Sequence, residues 1–210
     1  GFLFVTDGWG TIYKIDARSG ERGRIVWKTD FGTDLEQVGM PVNRGVALWK
    51  NLVFSNLIDG RVIAVDQATG EIAWEKQIAT GAGEGFTGAP LIADDKLIVG
   101  QSFGDWATRG FIAAIDPSNG DELWRFHTIP GPGEHGHETW RCEEGGNADC
   151  WKIGGGGAWA TGSYDSENKL LIMGVGNPVP MFDPEARPGD NLFTNSVVAL
   201  DIQSGKRVWH

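Results

Sequence analysis

The apolar residues of this chain come in short runs, and each run closes in a polar turn. The clearest are residues 62–65 (Val-Ile-Ala-Val) and 112–115 (Ile-Ala-Ala-Ile). Every position in them is apolar, so Val62 and Ala64 are expected on one buried face of a strand with Ile63 and Val65 on the other; Ile112 and Ala114 stand likewise against Ala113 and Ile115. Residues 51–55, 96–99 and 169–175 predict further strands. Few stretches keep an apolar helical period for three turns, so the pattern predicts an all-β chain.

The polar segments after these runs repeat. An aspartate, a short turn ending in glycine, and then a tryptophan occur four times: Asp16, Gly20, Trp27; Asp66, Gly70, Trp74; Asp116, Gly120, Trp124; and Asp201, Gly205, Trp209. The first three aspartates are 50 residues apart and the fourth comes after 85. A fixed period of this length marks a repeat architecture. The aspartate can accept backbone N–H groups in the turn, glycine supplies the positive φ, and the next strand delivers a large flat ring that can wedge between sheets. The expected fold is a β-propeller with one four-stranded blade per repeat, about four blades in all. It reads as one partial propeller domain over 1–210, with repeats ending near 27, 74, 124 and 209 and a long insertion at about 130–158. Residues 1–4 fall within a strand and His210 directly follows the fourth tryptophan, so the chain reads as a piece of a larger propeller.

Composition narrows the function. The 32 glycines and 10 tryptophans suit turn-rich, ring-docked blades. A net charge of −10 offers no basic stripe to phosphates and argues against nucleic acid. No apolar run approaches the ~18 residues of a membrane span. Cys142 and Cys150, with His135 and His137 nearby, fit no common zinc spacing. Two cysteines inside one insertion of an otherwise cysteine-free chain favour a disulfide and an oxidising compartment such as the periplasm. His127, His135 and His137 read as loop residues. The glycine run 154–157 lacks the Lys-Ser/Thr of a nucleotide loop, and nothing fixes Asp183, Glu185 and Asp190 as a glycosidase acid–base pair.

A second set of segments is not needed to build blades: PVNRGVALW (41–49), FTGAP (86–90), GQSFGDWATRG (100–110), GGGGAWATGSYD (154–165), GVGNPVP (174–180) and RPGDNLF (187–193). Collinear with the tryptophan repeats, they resemble the quinoprotein alcohol dehydrogenases, eight-bladed enzymes that bind pyrroloquinoline quinone (PQQ) and a calcium or lanthanide ion. The resemblance runs the length of the chain. It implies that Arg44 reaches the quinone's edge, that Thr87 and Ser102 hydrogen-bond it, and that Trp159 is the floor on which it lies. It places Asp105 and Asn177 as metal ligands, hard oxygen donors that suit Ca²⁺. It further implies an alcohol or sugar substrate, hydride transfer to the quinone, and a cytochrome or membrane quinone as electron acceptor.

Three departures stand out. Val38 and Gly39 occupy the positions where the family often has adjacent cysteines. Asp105 replaces the usual glutamate. The family's catalytic aspartate falls beyond residue 210, so no catalytic residue is assigned within this chain, which is expected to be inactive alone. The rival reading is a non-catalytic propeller resembling the outer-membrane β-barrel assembly lipoproteins, which share the tryptophan repeats but need no cofactor.

Overall fold

The computed structural model describes residues 1–33 and 40–210. Among these described residues, fifteen strands form four antiparallel sheets. The first holds β1 (Phe2–Thr6), β2 (Ile12–Asp16) and β3 (Arg24–Thr29). The second holds β4 (Ala47–Trp49), β5 (Leu52–Asn56), β6 (Arg61–Asp66) and β7 (Ile72–Gln77). The third holds β8 (Leu91–Ala93), β9 (Lys96–Gly100), β10 (Phe111–Ile115) and β11 (Glu122–His127). The fourth holds β12 (Ser163–Asp165), β13 (Leu170–Gly174), β14 (Val197–Asp201) and β15 (Arg207–Trp209). Strands pair in chain order within every sheet, the meander of a propeller blade. The first strands of the second and third sheets, β4 and β8, pack against each other, as innermost strands do.

The all-apolar runs are third strands, and their two faces serve two different cores. Val62 and Ala64 of β6 join Phe86, Leu97 and Phe111 between the second and third sheets. Ile63 and Val65 join Ile12, Val53 and Leu57 between the first and second. In β10, Phe111, Ala113 and Ile115 face the second sheet while Ile112 and Ala114 face Leu171, Val198 and Leu200 of the fourth. Period-2 alternation with both faces buried is what stacked blades demand of their middle strands.

Each blade keeps its turn in the same way. The aspartate accepts backbone N–H groups from residues two or three further on: Asp66 from Ala68 and Thr69, Asp116 from Ser118, Asp201 from Ser204. The strand pairing then shifts register one step before the tryptophan in all four sheets. In the last three, the residue paired with the ring-bearing position is alanine: Ala64 with Trp74, Ala114 with Trp124, Ala199 with Trp209. The rings dock on the next blade's turn. Trp27, Trp74 and Trp124 donate their indole N–H to the carbonyls of Gln67 (3.3 Å), Pro117 (3.0 Å) and Ile202 (3.0 Å).

The insertion at 130–158 has no strand and folds as turns with two short 3₁₀ segments, His137–Thr139 and Cys150–Ile153. It carries its own small core of Ile129, Trp140, Trp151 and the disulfide between Cys142 and Cys150. His127 is not a loop residue. It ends β11, with its ring edge-on to Phe111.

Candidate functional site

In an up-and-down blade, the start of the first strand and the end of the second lie at the same end of the sheet. Arg44 precedes β4, Thr87 precedes β8 and Trp159 precedes β12; Ser102 and Asp105 follow β9, and Asn177 follows β13. Topology therefore gathers six residues, spread over 134 positions of sequence from 44 to 177, at one end of the blades. Arg44, Thr87, Ser102, Asp105 and Trp159 line a single cleft of about 200 Å³, together with Met40, Val42, Phe103 and Trp106. Asn177 joins it through Asp105, donating its side-chain N–H to the Asp105 Oδ1 at 2.9 Å.

These residues hold one another. The Arg44 guanidinium lies over the Trp159 ring, 4.9 Å from its centroid, and donates from Nη1 to the Thr87 Oγ1 (2.5 Å) and carbonyl (3.2 Å). Ser102 Oγ accepts the Thr87 N–H at 2.9 Å. Trp159 is 47% exposed, unlike the docked rings, so a broad aromatic face meets the cleft. Asp105 sits exposed in the 3₁₀ turn Gly104–Trp106, which ends at Ala107 in the left-handed region (φ 58°).

Chemically this is a cleft with a π floor, a cation and hydroxyls at the rim, and two hard oxygen donors at one corner. The Asn177 Oδ1 accepts no hydrogen bond among the described residues, which leaves it free to ligate. A planar acidic group with a Ca²⁺-class ion suits such a donor set. Two protein oxygens satisfy only part of the six to eight that Ca²⁺ takes, so bound group and water would supply the rest. No cluster of three or more His, Cys, Asp or Glu side chains fit for a metal occurs among the described residues. A zinc site at His135, His137, Cys142 and Cys150 is excluded by the disulfide itself. Asp183 caps the 3₁₀ turn Pro184–Ala186, with its Oδ1 accepting the Ala186 N–H. Val38 and Gly39 lie outside the described residues.

The glycine run 154–157 has a packing role. It threads between the two loops that carry Asp105 and Asn177. Gly155 donates its N–H to the Thr108 carbonyl (2.9 Å) and Gly156 to that of Asn177 (2.9 Å), while Gly110 donates to the Gly155 carbonyl (2.8 Å). A Cβ on Gly155 would come 2.7 Å from the Asn177 carbonyl oxygen, and one on Gly104 would come 2.7 Å from the Gly157 nitrogen. Side chains here would push the loops apart. Those N–H groups are spent on carbonyls, so they form no phosphate cradle. Val42 lies in the segment 41–49 and Phe103 and Trp106 in the segment 100–110, but the resemblance assigns them no role there, and Met40 lies outside every segment; loop geometry brings the four to the cleft.

Fold and cleft together define a tryptophan-docked β-propeller with a cleft at one end of its blades. The PQQ family, described as the glucose/ethanol/alcohol dehydrogenase β-propeller domain, matches residues 1–210, and the chain belongs to that family. It is 37% identical to the quinohemoprotein alcohol dehydrogenase ADH-IIG of Pseudomonas putida, over all of this chain and 31% of that protein. To the quinoprotein alcohol dehydrogenase PedH of Pseudomonas putida it is 34% identical, over all of this chain and 37% of the relative. Among solved structures it superposes on ADHIIG from Pseudomonas putida HK5 with a TM-score of 0.90 at 35% identity, covering all of this chain and 32% of that one. A europium-containing methanol dehydrogenase gives 0.86 at 29%, covering 99% of this chain and 39% of the other. BamB from Moraxella catarrhalis, at 18% identity and 0.55, shares the fold alone. The chain spans about a third of the length of the curated relatives it matches.

Proposed function

We propose that this chain is the quinone-binding portion of a PQQ- and metal-dependent dehydrogenase that oxidises an alcohol or sugar hydroxyl. The observation that carries the reading is the meeting of Arg44, Thr87, Ser102, Asp105 and Trp159 in one cleft, with Asn177 tied to Asp105. A scaffold propeller has no use for that set. When bound, the quinone supplies a carbonyl that accepts hydride and the cation a Lewis acid that polarises it.

The chain's own contribution is binding and orientation. Trp159 offers the face for stacking, and Arg44, Thr87 and Ser102 offer donors along the rim. Arg44 lies 4.9 Å from the centroid of that ring and is held by its bonds to Thr87 at the cleft edge, so floor and rim donors form one unit. Asp105 and Asn177 hold the cation, and the glycine run fixes the spacing of their loops. The base that takes the hydroxyl proton, an electron acceptor such as a cytochrome or membrane quinone, and the substrate pocket belong to the rest of such an enzyme. The disulfide supports an oxidising compartment, the periplasm for a bacterial dehydrogenase.

The test is titration of the full-length protein with PQQ, with and without Ca²⁺, read by absorbance and by quenching of tryptophan fluorescence. Trp159→Ala and Asn177→Ala are each expected to weaken retention at least about tenfold, or ~1.4 kcal/mol, and Asn177→Ala also to remove the Ca²⁺ dependence. A folded protein that takes up no PQQ in either condition would overturn the reading.

A further inference from the structure

A second cavity, of about 300 Å³, opens where the outer strand β11 of one blade ends and the outer strand β15 of its neighbour begins. It shares no lining residue with the first. Its polar wall is Arg125, His127, His135 and Arg207, and its apolar wall includes Phe126 and Phe193. The charges are unevenly matched. Arg125 is paired with Glu122 (2.6 Å), and the cavity's one carboxylate, Glu134, is paired with Arg109 (3.0 Å). Arg207 has no carboxylate partner among the described residues; it lies over the Phe193 ring at 4.9 Å and bonds only the His210 Nδ1 at 3.0 Å.

The histidines report the same positive field. Burial first, then the charges of Arg109 and Arg125, hold the His127 pKa down to about 4 against the weaker pull of Glu134 and Glu122. Burial, Arg207 and His135 likewise lower His210. The His127 Nδ1 is buried with no partner. A lone pair tolerates that better than an N–H, which assigns the ring proton to Nε2 and makes it a donor.

We propose that this cavity is a second binding site, for a small organic acid with one carboxylate and an apolar body. One unmatched guanidinium calls for one negative charge. The apolar lining of Phe126, Phe193 and Pro130 calls for an apolar ring or chain rather than for phosphate, which would leave that wall against a hydrated anion. The site is independent of the quinone reading, since none of its residues serves the first cleft.

Calorimetric titration of the full-length protein with benzoate, acetate and inorganic phosphate tests this. Benzoate should bind at one site at least tenfold tighter than acetate or phosphate. Arg207→Gln should weaken it at least tenfold, Trp159→Ala should leave it unchanged, and the ring signals of His127 in ¹⁵N-histidine-labelled protein should titrate at higher pH with benzoate present. Equal binding of the three anions, no saturable binding, or benzoate binding indifferent to Arg207→Gln would each overturn the proposal. Should Arg207→Gln fail to fold, a crystal structure of the wild type with benzoate decides: its carboxylate on Arg207 supports the site, and density elsewhere or none overturns it.

Discussion

Trp124 and Trp209 hold the same place in two copies of one motif, yet they live in different surroundings. Trp124 is 9% exposed, its indole N–H held by the Ile202 carbonyl and its face pressed by the turn at Gly205. Trp209 is 43% exposed. The turns show the mirror image of this contrast. A Cβ on Gly70, Gly120 or Gly205 would strike Trp27, Trp74 or Trp124 within 3 Å, whereas one on Gly20 would meet nothing within 4 Å. The repeat is therefore half an interaction. Each copy carries a ring that docks forward and a turn that receives from behind, and stabilisation appears only where two copies meet.

Removing the ring tests that contrast most severely. Trp124→Ala should cost about 3–5 kcal/mol, the range for emptying a buried aromatic site. In a protein of residues 1–210 alone, Trp209→Ala should stay within about 1 kcal/mol, because 43% of the residue is exposed there. Urea unfolding of the two variants measures both, and similar losses would show that docking is not what stabilises the blade junction. The turns give the next largest difference. Gly20 and Gly205 have φ of +75° and +67°, so alanine strains either one by roughly 1 kcal/mol. Only Gly205→Ala also drives a methyl to 2.5 Å from Trp124, adding an overpacking cost of about 1–3 kcal/mol.

Most of this frame is legible in the sequence because the frame is local and periodic. The aspartate turn, the all-apolar third strand and the tryptophan lie within some fifteen residues of one another, so one copy reveals the unit and four copies reveal the fold. Even the alanines paired with Trp74 and Trp124 stand in the apolar runs, as Ala64 and Ala114. Candidate site residues are legible for another reason: Arg44, Trp159 and Asn177 sit in segments that blade construction leaves unexplained. The hidden part depends on how loops meet in space. Arg44 lying on Trp159, the glycine run lacing the loops of Asp105 and Asn177, and the convergence of Arg125, His127 and Arg207 join positions with no sequence period between them. His127 reads wrongly from sequence because a histidine near an insertion resembles a loop residue, whereas it completes β11 against Phe111.

The smallest effect distinguishes the turns by what holds their aspartates. Asp16, in the turn where a Cβ on Gly20 meets nothing among these residues, is lowered below the usual carboxylate range chiefly by hydrogen bonds from the Arg18 guanidinium and backbone, with Arg24 adding charge. Asp116, whose turn receives Trp74, is lowered chiefly by the Ser118 hydroxyl and N–H. Both folded values lie below the unfolded one, so each contribution is present above about pH 4 and is lost as pH falls through the folded value. Salt separates them. Raising it to 1 M shortens the screening length to about 3 Å, which weakens an exposed guanidinium pair and leaves a neutral hydroxyl bond nearly untouched. Thermal unfolding between pH 5 and 3 should thus show the difference between wild type and Asp16→Asn shrinking at high salt, while that between wild type and Asp116→Asn holds. Equal shrinkage would mean that the receiving turn leans on charge as much as the open one, and that docking adds nothing to how its aspartate is held.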